Sequence, residues 1–295
     1  MIPPRTEQPH PSHEHLDEYE VHQLVDVLLE DQAAAAKAVQ AAAAQIALAV
    51  AAAVPRLEQG GRIIYVGAGT SGRLGLLDSV ELYPTFSWPR NRALALLAGG
   101  PSAVQESVEG AEDDQEQGAR DLAALQPGAL DVVLLLAASG ATPYTLGALA
   151  AARTAGALTI GIGNNPGSPL AMRAEVGIIL DTGAEVIAGS TRLKAGTAQK
   201  ITLNTFSSAV MVRLHKVFGN LMVDLRPTNA KLVRRALRLI TLATGCEEAR
   251  AQAAFEACET QVKPAIVSIL KGLTPEQARA RLAASHGSVR AALRD

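Results

Sequence analysis

The chain has 295 residues and a net charge of −2, with a pI near 6.3, a balance that gives no reason to expect nucleic acid or an anionic membrane as partner. Two cysteines, Cys246 and Cys258, are too few for a disulfide framework in a chain of this length. No apolar run reaches the roughly 18 residues of a spanning helix and the first residues lack the apolar centre of a secretory signal, so the chain reads as cytoplasmic.

Residues 1–20 are rich in Pro and His. They read as an extended, solvated arm, with metal binding by His10, His13 and His15 as the alternative reading. From His22 to about Leu57 the sequence is mostly Ala, Gln, Leu and Val, which predicts one long helix or two. Pro55 and Gly60-Gly61 close it. Aromatic residues make up only 3% of the chain, so the core must be largely aliphatic.

Residues 62–75, RIIYVGAGTSGRLG, carry the most information. A short strand runs into a glycine loop with hydroxyls at Thr70 and Ser71, and a helix follows. The free N–H groups and positive dipole end of a helix N-terminus form a natural phosphate site. The letters also satisfy G-x-G-x-x-G. A dinucleotide fold, however, wants an acidic residue about 20 positions on to hold a ribose. That region reads SWPRN, so a sugar phosphate fits the loop better and no cofactor is expected.

Strand 93–98 and helical turns near 101–109 and 115–125 come next. Then Asp131 to Ala138 forms an almost unbroken apolar run, the mark of a parallel strand buried on both faces. It ends in Ser139-Gly140-Ala141-Thr142-Pro143, a second hydroxyl-bearing loop with proline placed for a first helical turn. Helix 143–155, strand 157–162, a turn at 164–167 and a strand near 176–180 complete a β/α alternation. The expected fold class is α/β, a parallel sheet flanked by helices. Ligands bind such sheets at the carboxyl ends of the strands.

Residues 194–218 read as one long helix, apolar on most faces and so buried in a core or against a second subunit. After Pro227 the sequence breaks into short amphipathic helices, with Thr274-Pro275 a strong helix start. The expected organisation is an N-terminal arm and helices (1–55), a sugar-phosphate-binding domain (56–228) and a small helical module (229–295).

Six motifs occur in one order: GAGTSGRLG (67–75), VEGAEDD (108–114), AASGATPY (137–144), NNPGSPL (164–170), GSTRLKAGTAQK (189–200) and KVFGNLMVD (216–224). Together they closely resemble the N-acetylmuramic acid 6-phosphate etherases, a family with the sugar isomerase (SIS) fold. The resemblance runs from about Thr6 to the C-terminus. It implies cleavage of the lactyl ether of the muramic acid phosphate, with N-acetylglucosamine 6-phosphate and D-lactate as products of cell-wall recycling. Carried over by position, the two catalytic glutamates of the family fall on Glu81 and Glu112.

Two carboxylates without a metal suit this chemistry. The open-chain sugar has an aldehyde at C1, which makes the C2 proton acidic and the C3 lactate a β-leaving group. A base takes the C2 proton, an acid protonates the departing oxygen, and water adds back at C3. The resemblance suggests Glu81 as acid and Glu112 as base. Thr70, Ser71, Ser139 and Thr142, with the N–H groups of Gly72 and Gly140, are expected to hold the phosphate. Ser190 and Lys194 are candidates for a contact to the sugar or the lactyl carboxylate. The rivals are a sugar-phosphate isomerase and a non-catalytic sugar-phosphate sensor. A homodimer joined through helix 194–218 is expected, with a sugar phosphate as the only small-molecule partner.

Overall fold

The structure, a computed structural model, describes residues 4–227 and 229–294. Its contacts divide the chain into two compact units, one of Met1–Val80 with Arg90–Ser207, the other of Glu81–Pro89 with Ser208–Asp295.

In the first unit, α1 (Val21–Ala41) and α2 (Ala43–Glu58) precede five strands: β1 (Ile63–Gly67), β2 (Ala93–Leu97), β3 (Val132–Ala137), β4 (Leu158–Gly163) and β5 (Val176–Ile179). They form one parallel sheet in the order β2-β1-β3-β4-β5. The connecting helices include α3 (Gly69–Phe86), α4 (Gln115–Ala124), α5 (Pro143–Thr154) and α6 (Pro169–Arg173). Side chains alternate across a strand. Ile64, Val66, Val133 and Leu135 therefore share one face, packed with Leu122 of α4 and Tyr144 and Ala148 of α5. The α2 helix packs on β3, β4 and β5 and buries Ala49, Ala53 and Leu57.

The central strands β1 and β3 are fastened at their starts. Arg62 donates to Asp131 Oδ1 through its backbone N–H and Nε (both 3.0 Å) and to Oδ2 through Nη2 (2.6 Å). Gly128 N–H adds a bond to Oδ2 at 2.9 Å. Burial alone would raise the Asp131 carboxyl, but the guanidinium and the two N–H groups outweigh it and hold the group below its ordinary value. On the far side of β3, α4 and α5 approach closely at two glycines. A Cβ on Gly118 would stand 1.9 Å from the Tyr144 carbonyl oxygen, and one on Gly147 1.8 Å from that of Gln115.

The long helix expected at 194–218 ends earlier, as α7 (Lys194–Arg213). His215 takes a positive φ of 60°, and a two-stranded hairpin follows, β6 (Val217–Phe218) and β7 (Leu221–Met222). Leu203, Phe206, Val210 and Met211 are fully buried within the single chain, so core packing accounts for much of the apolar character that suggested a subunit interface.

The second unit gathers this hairpin with α8 (Ala230–Thr244), α9 (Glu248–Ala257), α10 (Val262–Lys271), α11 (Pro275–Ala284) and α12 (Val289–Ala292). Its core includes Ile240, Phe255, Ile266 and Val267, with Phe218, Leu221 and Met222 packed against it. That packing places residues 208–227 with the C-terminal helices, where the sequence pattern drew the boundary at 228. Thr274 caps α11 as expected, and Gln277 returns the bond to complete a capping box. Cys246 and Cys258 are free thiols in this helical core. Among the described residues no single helix is long and apolar enough to cross a membrane; the pair α1–α2 meets the length and composition only across a 56° bend.

Replacing Asp131 with Asn should cost roughly 1.5–3 kcal/mol near neutral pH, the worth of a charge-assisted bond. Because the folded carboxyl sits below the unfolded value of 3.8, its contribution is complete above that value and fades as pH falls through the folded one. The stability gap between wild type and Asp131→Asn in urea melts should therefore shrink as pH falls from 6 toward 2, and a gap that is unchanged or widens contradicts the clamp.

Candidate functional site

A cavity of about 450 Å³ lies at the carboxyl ends of β1 and β3, lined by residues of the first unit alone. The strand order reverses between these two strands, which is where open α/β sheets of the order 2-1-3-4-5 bind ligands. Two loops form its walls. The first is Ala68–Ser71, where α3 begins; the second is Ala137–Pro143, which leads into α5.

Thr70, Ser71, Ser139 and Thr142 all line this cavity, as the sequence predicts. Ser139 Oγ and Thr142 Oγ1 lie 3.5 Å apart, and Ser139 Oγ accepts from Ala141 N–H at 3.2 Å. The first N–H groups of an α-helix have no intrahelical acceptor, so Gly69, Thr70 and Ser71 present theirs at the start of α3. The amides of Gly72 and Gly140, expected to hold phosphate, are already engaged. Gly72 N–H donates to Ala68 O (3.1 Å) and Gly140 N–H to Ala137 O (3.0 Å). Gly140 instead permits a close approach of backbone to side chain. At φ 68° it passes so near Ser168 that a Cβ would meet the serine Cβ at 2.1 Å.

Glu112 lines the same cavity. It sits exposed in a short 3-10 turn, Ala111–Asp113, that packs on α5 just before α4. The α4–α5 contact therefore fixes Glu112 relative to the second loop. Glu81 belongs to the second unit and is exposed on α3.

Three polar lining residues were not foreseen: Glu7, Asp113 and Thr191. Glu7 arrives on an N-terminal arm pinned by its neighbours. Thr6 is fully buried; Asn165 Nδ2 donates to its Oγ1 (3.0 Å) and to Ala138 O (2.9 Å). Arg5 pairs with Asp181 at 2.6 Å, and Gly189 N–H donates to Thr6 O (3.2 Å). The Thr6-Glu7 pair belongs to the resemblance and was the available signal. Thr191 comes from the GSTRLKAGTAQK motif, one residue beyond Ser190, which is half-buried but is not among the lining residues.

Lys194 does not line the cavity. It is 4% exposed; its Nζ pairs with Asp31 of α1 and donates to Ala184 O at 2.8 Å. Its backbone N–H and that of Ala195 donate to Glu185 at 3.0 and 2.8 Å. Burial pushes the Glu185 carboxyl above its ordinary value, and those two N–H groups pull against the rise. Glu185 thus caps α7 and steadies the loop that brings Gly189 and Thr191 to the cavity.

No Lys or Arg is among the described lining residues; Glu7, Glu112 and Asp113 are. A ligand phosphate here would meet hydroxyls and helix N-termini rather than cations, with carboxylates beside it. No cluster of His, Cys, Asp and Glu able to hold a metal occurs among the described residues.

Comparison with known proteins agrees with this geometry. Residues 111–209 match the SIS domain, and residues 45–153 match the glucokinase regulatory protein N-terminal SIS domain. The chain is 56% identical to the N-acetylmuramic acid 6-phosphate etherase of Deinococcus radiodurans, over 99% of this chain and 95% of that protein. The chain belongs to the N-acetylmuramic acid 6-phosphate etherase family. It is also 50% identical to the etherase of Rubrobacter xylanophilus, over 98% of this chain and 95% of that one. The fold is accordingly the SIS α/β fold, with its parallel sheet flanked by helices.

The contacts of Lys194 set a test of its role. Lys194→Met strands Asp31 in a buried site and should cost about 3–5 kcal/mol, whereas pairing it with Asp31→Leu should recover most of that loss. Chemical denaturation of the two variants decides. A stable single variant whose only defect is a raised KM would return Lys194 to the ligand site.

Proposed function

We propose that this protein cleaves the D-lactyl ether of N-acetylmuramic acid 6-phosphate, releasing D-lactate and N-acetylglucosamine 6-phosphate. The observation that carries the reading, beside family membership, is the presence of Glu112 in one cavity with four hydroxyls from two helix-initiating loops. The phosphate rests on Thr70, Ser71, Ser139 and Thr142 and on the first amides of α3. Binding energy from that remote group then orients the sugar carbons.

Glu112 takes the C2 proton of the open-chain sugar, and Glu81 protonates the lactate oxygen as it leaves C3. Water adds to the resulting double bond at C3 and the proton returns to C2. No cation stands among the described lining residues to fix Glu112 in an ion pair.

The length of α3 bears on where Glu81 acts. Val80, the last residue of the first unit on that helix, stands about 16 Å along the axis from Gly69. Glu81 follows it in the chain. A hexose 6-phosphate anchored at the start of α3 is shorter than this span, so we assign the acid to the second subunit of a homodimer, each site combining the loops and Glu112 of one chain with Glu81 of its partner. An exposed apolar stripe on α1, formed by Val21, Val25 and Leu29 at helical spacing, supports association of two copies.

Purified protein should release D-lactate from N-acetylmuramic acid 6-phosphate and, in heavy water, leave deuterium at C2 of the sugar product. Glu112→Gln and Glu81→Gln should each abolish lactate release, with C2 exchange surviving only in the latter. Co-expressed, the two inactive chains should regain about a quarter of wild-type activity, because half the dimers are mixed and each has one intact site. Absence of lactate from wild type would sink the etherase reading; no recovery on mixing would sink the shared site alone.

A further inference from the structure

The second unit contains a cavity of about 650 Å³ that the etherase chemistry does not use. Its walls come from Ser87, Lys216, the segment after β7, the turn between α9 and α10, the start of α10 and two residues of α11. Four cations line it, Lys216, Arg226, Lys263 and Arg279, against two carboxylates, Asp224 and Glu259. The lining thus carries two positive charges in excess.

The pairing is uneven. Lys216 and Lys263 share one oxygen, Asp224 Oδ2, at 2.7 and 2.9 Å. Arg279 pairs with Glu259 at 3.4 Å and, through Nη2, with Glu276 at 3.3 Å, which leaves its buried Nη1 without a hydrogen bond. Arg226 is exposed and rests over the Tyr83 ring, 5.8 Å from its centroid, with no carboxylate partner among the described residues. Burial pushes the Lys263 ammonium below its ordinary value, and Asp224 only partly opposes this. Two cations on one carboxylate leave a charge unanswered, and Arg226 adds a second.

The backbone adds to the same field. Gln261, the N-cap of α10, makes no capping bond with its side chain. Val262 and Lys263, whose N–H groups lie in the first turn, both line the cavity. Glu259 and Thr260 hold positive φ values of 56° and 60° to shape the turn that delivers this helix end. A helix N-terminus facing cationic side chains across a concave wall favours an anion with several acceptor oxygens.

We infer that this cavity is a second anion site, built for a phosphate monoester or phosphate dianion. A dianion answers the cations left over on Asp224 and at Arg226, and the volume suits a small molecule. A polymer such as nucleic acid fits poorly, because these cations converge on a hollow instead of lying along an exposed face. The site stands apart from the etherase reading, and neither depends on the other.

Calorimetric titration of the full chain with inorganic phosphate tests it. Wild type should show two classes of site. Arg226→Gln/Arg279→Gln should weaken one class at least tenfold and leave the other, while Ser139→Ala should do the reverse. Arg226→Gln alone, at an exposed position, should weaken the same class several-fold. A parallel titration with glucose 6-phosphate identifies the source of the phosphate: tighter binding at this class assigns it to a sugar ester, equal or weaker binding to the free ion. A single class of site removed by Ser139→Ala, or an isotherm unchanged in both arginine variants, would overturn the inference.

Discussion

The parallel pairing of β1 with β3 is the constraint on which the site depends. Gly67 stands opposite Leu136 in that register, so the two strands end at nearly the same level and their loops emerge side by side. The Arg62–Asp131 clamp fixes the other ends of the same strands. A slip of one residue would turn every side chain of β1 to the other face of the sheet. It would also carry Thr70 and Ser71 away from Ser139 and Thr142. Both loops initiate helices, and so the geometry that makes the sheet also aims helix N-termini at one point.

That arrangement explains how a charged ligand and free carboxylates can share a cavity. In the proposed mechanism hydroxyls and peptide N–H groups take up the phosphate, and no Lys or Arg stands beside Glu112 among the described lining residues. A lysine in the same place would bind phosphate more strongly as a point charge, but it would also pair with the carboxylate and lower its basicity. Lys194, three residues beyond the lining residue Thr191, is tied instead to Asp31 and Ala184. In the proposed mechanism the division of labour is physical: dipoles hold the phosphate and carboxylates move protons, while the Lys194 ammonium serves the fold.

Much of this was legible in the sequence because buried parallel strands and helix-initiating glycine loops leave local signatures. Residues 131–138 read as a strand from composition alone, and Pro143 opens α5 where its restricted φ predicts. What was hidden depends on contacts distant in sequence. The amides of Gly72 and Gly140 looked available because both glycines sit in ligand-type loops, yet each closes its own turn. Nothing near Lys194 announces Asp31, 163 residues away. The hairpin at 217–222 was masked by apolar residues that suit a helix and a short strand equally. Glu7 enters the site only because a buried Thr6–Asn165 contact folds the arm across the strand ends.

Both loops grip one phosphate in the proposed mechanism, and ligand affinity measures that directly. Dissociation constants for N-acetylglucosamine 6-phosphate and for unphosphorylated N-acetylglucosamine would be compared in wild type, Ser71→Ala and Ser139→Ala. Each substitution should reduce the advantage of the phosphorylated sugar by about tenfold or more, the loss of one charge-assisted hydrogen bond, and leave the free sugar unaffected. If either serine weakens both ligands equally, or neither, then its loop does not hold the phosphate and the central claim fails.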